Sequence, residues 1–124
     1  MLANFPITPR KGANMPSYLL QVSYSAESLT ALIKRPQNRG EIVGKSVEKL
    51  GGSVTGFWLA FGDYDVVGIV EMPDNVTAAA FAMAIAAGGG CKNVKTTPLM
   101  SMTEGIDALK KASSSGYKPA SAKK

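Results

Sequence analysis

Histidine is absent from the 124 residues. That excludes imidazole metal sites, haem ligation by histidine, and every Ser-His or Cys-His catalytic pair. Cysteine occurs once, at Cys91. No disulfide can form within the chain, and the expected compartment is the cytoplasm. Charge is scarce: 19% of residues are charged, below the quarter or so usual for a globular domain. A small domain with so few charges is expected to have part of its surface covered by a second copy of itself. Long apolar runs are also missing. The longest, Ala78–Ala87, is alanine-rich and far short of the ~18 residues that span a bilayer, so no membrane partner is expected. Residues 1–14 lack the continuous apolar stretch of a secretory signal. Met15-Pro16 reads as a candidate start, with the preceding segment a leader, an extension or a misassigned start. Nothing in the composition asks for a metal or a cofactor.

Hydrophobic residues make up 45% of the chain, enough for one core, and the formal net charge is +5. A basic balance invites a nucleic-acid reading, but its location weakens that reading. Residues 15–104 hold seven basic and eight acidic residues, so the excess sits in Arg10, Lys11 and the lysines from Lys110 onward. The domain itself offers no phosphate-binding stripe, and nucleic acid is an unlikely partner. Three segments follow: an N-terminal extension over 1–14, a domain over 15–112, and a flexible basic tail over 113–124.

Ser17–Tyr24 alternates Tyr18, Leu20, Val22 and Tyr24 against Leu19, Gln21 and Ser23, the period of a strand. Ser25 is placed as an N-cap, with Glu27 in the first turn where negative charge suits the helix dipole. A helix follows with Leu29, Leu32 and Ile33 on one face. Pro36 breaks or kinks it. It resumes near 38–40 and runs to Leu50, burying Ile42, Val43, Val47 and Leu50, and Gly51-Gly52 ends it. Ser53–Phe61 and Tyr64–Met72 are β-rich runs around Gly62-Asp63, the signal of a two-residue type II′ hairpin. That loop opposes Phe61 to Tyr64, Leu59 to Val66, Phe57 to Gly68 and Thr55 to Val70. The other side of the sheet then holds Ala60 with Asp65, Trp58 with Val67, Gly56 with Ile69, and Val54 with Glu71. A second helix over 76–87 shows Val76, Ala80, Met83 and Ala87 on one face. A last strand covers 92–102, where Pro98 demands an edge or a bulge. A short helix over 103–112 is expected to bury Ile106 and Leu109. The order β-α-β-β-α-β-α predicts an α+β domain of ferredoxin-like βαββαβ type. Its four-stranded antiparallel sheet carries helices on one face, with an extra C-terminal helix.

Both sides of the central hairpin are apolar. A sheet covered by helices on one face should be polar on the other, yet here that other face would expose Val54, Trp58, Val67 and Ile69. A contiguous patch of this kind marks an interface or a ligand groove. A homo-oligomer assembled through the sheet face is therefore expected.

Around the hairpin the chain resembles the GYD domain family, whose Gly-x-Tyr-Asp signature is met by Gly62, Tyr64 and Asp65. Further similarity lies in Pro16-Ser17-Tyr18, Lys49-Leu50-Gly51-Gly52, Asp74-Asn75 and Lys95-Thr96-Thr97-Pro98-Leu99, and it covers about residues 15–105. The resemblance implies a small, bacterial and largely uncharacterised family. The resemblance implies kinship by fold with dimeric α+β barrel proteins, in which two ferredoxin-like sheets face each other. Those relatives include cofactor-independent monooxygenases and isomerases.

Several residues are candidates for a site, each with a plainer reading. Gly62 supplies a turn, Tyr64 packs on Phe61, and Asp65 bonds a nearby backbone group. On the functional reading, Asp65 stands on the open face beside Trp58 as a general acid or base, with Tyr64 helping to position substrate. Gln21, Ser23, Trp58, Asp65 and Lys95, with Glu71 and Thr97, could line a cleft for a small apolar or aromatic molecule. They equally describe a sheet-sheet interface with a few internal hydrogen bonds. Cys91 has Lys92 and Lys95 nearby, which would lower a thiol pKa, but with no histidine as base a structural role is preferred. Gly88-Gly89-Gly90 precedes a strand rather than a helix, so it reads as a helix stop and not a phosphate cradle. The lysine-rich tail is a solvated segment or, alternatively, a contact for an acidic partner or nucleic acid.

Overall fold

A computed structural model of the chain describes residues 15–121. The elements are β1 (Ser17–Tyr24), α1 (Ala26–Lys34), α2 (Arg39–Lys49), β2 (Ser53–Leu59), β3 (Val66–Glu71), α3 (Asn75–Ala87), β4 (Cys91–Leu99) and α4 (Met102–Ser113). The strands form one antiparallel sheet in the order β2-β3-β1-β4. This is the ferredoxin-like arrangement, with its first helix in two pieces and a helix added at the end. The readings of 1–14 and of the last three lysine-tail residues fall outside the described residues.

Strand alternation sets the core. Tyr18, Leu20 and Val22 of β1 and Val66 and Val70 of β3 are all buried on one face. Val47 of α2 and Ala78 and Phe81 of α3 complete that core with Met72. Burying each such aliphatic side chain is worth roughly 1.5–3 kcal/mol. At Gly68 a Cβ would come within 2.3 Å of Phe57 Cδ1, so the Phe57 ring lies directly over the glycine.

Local chemistry explains the helix ends. Ser25 Oγ accepts from Ser28 N at 3.1 Å. Pro36 splits the first helical region, and α2 restarts with Asn38 Oδ1 accepting from Gly40 N at 2.9 Å. Gly51, at φ 88°, closes α2. Asp74 Oδ1 caps α3 through Thr77 N at 2.8 Å and Thr77 Oγ1 at 2.7 Å, and those bonds hold its carboxyl below the usual range. Ser101 and Glu104 form a reciprocal capping box on α4.

Several expectations are corrected. The hairpin ladder ends at Leu59↔Val66, with one further bond from Ala60 N to Asp65 O at 2.8 Å. Gly62 has φ 154°, far from the roughly +60° of a type II′ corner, and Asp65 bonds Ala60, just past β2, through its carbonyl and β1 through its N–H. Phe61 is 99% exposed, so Tyr64 does not pack on it. The expected register holds from Gly56 to Leu59, then slips by one at a bulge, so Val70 opposes Val54 and Glu71 opposes Ser53. Ile42 and Leu50 are exposed; α2 instead approaches the sheet through Gly40, Gly44 and Val47, which let the backbones come close. On α3, Val76 and Met83 face outward while Ala78 and Phe81 are buried. That helix is apolar all round, so periodicity could not choose its inner face. Ile106 and Leu109 are 51% and 71% exposed, and α4 buries none of its side chains. Pro98 sits on an edge strand, as expected, since β4 pairs with β1 alone.

Candidate functional site

The end of β1 is where four parts of the chain converge. Asp65 N donates to Val22 O at 2.8 Å, and Asp65 Oδ2 accepts from Tyr24 N at 2.8 Å. Ser23 Oγ donates to Asp63 O at 2.9 Å. Ser25 N donates to Gly90 O at 3.0 Å, tying the same point to the start of β4. The β2–β3 loop is thereby fixed beside Tyr24, with Cys91 across from it in the ladder. Arg39 reaches this neighbourhood because the Pro36 break starts α2 here, one residue after its Asn38 cap.

A cleft of about 600 Å³ opens beneath the α1–α2 elbow. Its walls are Leu29, Leu32 and Ile33 of α1, the elbow residues Pro36 to Gly40, and Phe57 to Leu59 at the end of β2, with Ala60, Phe61, Asp65 and Val66. A smaller space of about 270 Å³ adjoins it between α2 and α3, lined by Val43, Ile85 and Cys91 among others. Tyr24, Arg39, Phe57 and Val66 line both. The walls are mostly apolar, and the polar groups gather at the Tyr24–Arg39–Asp65 end. Helix α1 was legible as apolar on one face, but it is too short, and too soon interrupted by Pro36, to bury that face. Leu29 and Ile33 remain 43% and 72% exposed at the cleft.

Charge at this junction is mixed. Burial pushes the Tyr24 hydroxyl pKa up; Arg39 opposes the shift, and Cys91 and Asp65 add to it. Burial likewise pushes the Cys91 thiol up, with Arg39 opposing and Asp65 adding. Both groups are therefore protonated at neutral pH: Tyr24 is a hydrogen-bond donor, and Cys91 is not an activated thiolate. Arg39 Nη1 donates to Gln37 Oε1 at 3.2 Å, a neutral partner.

The residues singled out in the sequence separate in space. Asp65 and Trp58 line the cleft, whereas Tyr64 and Gly62 do not. Gln21 and Lys95 oppose each other on the sheet face away from the helices, and Gln21 also opposes Val67, which opposes Trp58. Those four form a row across the open face. Ser23 is buried, its hydroxyl spent on the loop. On the same face Leu19, Val67 and Ile69 are half-buried, and Trp58 is 45% exposed with its ring over Gly56. Tyr24 and Arg39 were not singled out. Tyr24 read as one more strand aromatic, and Arg39 meets it only through the elbow. No group of three or more metal-ligating side chains occurs among the described residues, and none of their helices is long and apolar enough to cross a membrane.

A family model described as the GYD domain matches residues 18–109. No curated protein matches the sequence. Among solved structures, TTHA0845 from Thermus thermophilus is similar at a TM-score of 0.49 and 16% identity, over 70% of this chain and 95% of that one. An AsnC family transcriptional regulator from Agrobacterium tumefaciens is similar at a TM-score of 0.46 and 18% identity, over 74% of this chain and 60% of the regulator. Likeness at such identities says nothing of activity, because one fold hosts many functions.

Proposed function

The chain belongs to the GYD domain family, and we propose that it is a small binding protein for an apolar or aromatic molecule, held in the cleft beneath the α1–α2 elbow. One observation carries this reading: about 600 Å³ of largely apolar space is walled by side chains that the fold leaves uncovered. Pockets for small molecules fall in the same range, roughly 300–1,000 Å³, with a few polar groups placed to orient the ligand. Leu29, Ile33, Leu59 and Phe61 are all exposed at its rim, and a ligand would remove that surface from water.

The test is titration with the neutral fluorescent probe N-phenyl-1-naphthylamine. Saturable binding near one probe per chain is expected, and Ile33→Asp should abolish it. Binding unaffected by Ile33→Asp, or none, would count against the cleft.

The open sheet face supports a second statement, that the protein is a homo-oligomer assembled through that face. Trp58, 45% exposed, shares the sheet face opposite the buried core with the half-buried Leu19, Val67 and Ile69. An acid–base role for Asp65 is the enzymatic alternative, favoured by its place on the cleft wall beside Tyr24.

A further inference from the structure

Resting on the cleft reading above, we infer that the ligand carries an acidic group, a carboxylate or an equivalent anion, which Arg39 and Tyr24 receive while the apolar body lies under the elbow. Among the described residues that line either space, Arg39 is the one cation, and it stands where the two spaces join. Its guanidinium bonds the neutral Gln37 amide through Nη1, a bond that uses one of its five N–H donors. Tyr24 lines the same junction, and its phenol, already neutral at pH 7 and pushed further up by burial, adds a neutral donor. Pairing an anion with a guanidinium and a phenol at the edge of an apolar wall gives charge-assisted hydrogen bonds, stronger than neutral ones. The opposing charge in the cleft is Asp65, whose Oδ2 accepts from Tyr24 N. It weakens an anion's attraction without occupying the guanidinium.

A matched pair of probes separates this inference from the reading beneath it. N-phenyl-1-naphthylamine and 1-anilinonaphthalene-8-sulfonate share one aromatic body, and only the second bears an anion. The sulfonate is expected to bind about tenfold more tightly, the gain of one charge-assisted hydrogen bond. Arg39→Gln should erase that ratio, with both probes measured on the same variant. Tyr24→Phe should reduce the ratio a few-fold, and Asp65→Asn should enlarge it. Tyr24→Phe and Asp65→Asn leave Arg39 in place, so they keep the test open if Arg39→Gln fails to fold by circular dichroism. Equal affinity of the two probes, or a preference undiminished from wild type in Arg39→Gln or, should that variant not fold, in Tyr24→Phe, overturns the inference while the cleft reading stands. Failure of both probes to bind saturably overturns both.

Discussion

Tyr18 is 2% exposed, and its hydroxyl donates to Asn75 Oδ1 at 2.5 Å across 57 positions of sequence. Two segments that carried the family resemblance, Pro16-Ser17-Tyr18 and Asp74-Asn75, thus meet in one bond that fixes the start of α3 on β1. Tyr18→Phe would remove the donor and leave Asn75 short of a partner. The expected loss is about 1–2 kcal/mol in urea unfolding. Burial, aided by the Asp74 charge, pushes the Tyr18 phenol pKa up. Because the folded pKa is the higher one, this stabilising contribution is intact below the ordinary phenol value of about 10 and is lost as pH rises through the folded value. Wild-type stability should fall in that alkaline window, and Tyr18→Phe should flatten the fall. Asp65 has a comparable structural duty, and the bond to Tyr24 N explains why a carboxylate stands there whatever else it does. The plain reading of Asp65 as a backbone acceptor was available from sequence because turn-associated Asp does this commonly. Its partner was not, because Tyr24 lies 41 positions away.

Elements with local signals were legible: the Ser25 cap, the Pro36 break, the Gly51-Gly52 stop and the alternation of β1. What failed was decided by packing between elements. The bulge in β2 falls between Val54 and Gly56, where the strand glycine is a cue that the hairpin register overrode, and the all-apolar α3 has no preferred face in its own sequence. Gly52 shows how tight the α2–β2 corner is, since a Cβ there would lie 2.3 Å from Glu71 O and 2.6 Å from Met72 Sδ. Gly52→Ala should cost roughly 1–3 kcal/mol by overpacking, read as a lower urea midpoint. Helix α4 is the opposite case. Its capping box makes a sound helix, yet Met102, Ile106 and Leu109 all stay exposed. A chain ending at Met100 should therefore unfold within about 1 kcal/mol of the full chain, as for surface changes that touch nothing buried. A larger loss would show that α4 packs on something.

At the scale of the whole molecule, two of the apolar surfaces among the described residues carry the functional readings, and their locations differ from what alternation alone implied. One is the open sheet face, legible because both faces of the hairpin were apolar. The other is the elbow cleft, hidden because it needs α1, the β2 end and Arg39 together. For the first, light scattering should return at least twice the 13.0 kDa chain mass, and Ile69→Lys should reduce it to one chain, since a buried unpaired charge is costly. Ligand binding in the second is tested most directly by a crystal structure of the full chain grown with N-phenyl-1-naphthylamine. The probe's density is expected beneath the elbow, between Leu32 and Phe57 and within reach of Tyr24. Density confined to the open face against Trp58 and Ile69, with the cleft empty, would contradict a binding role for the cleft.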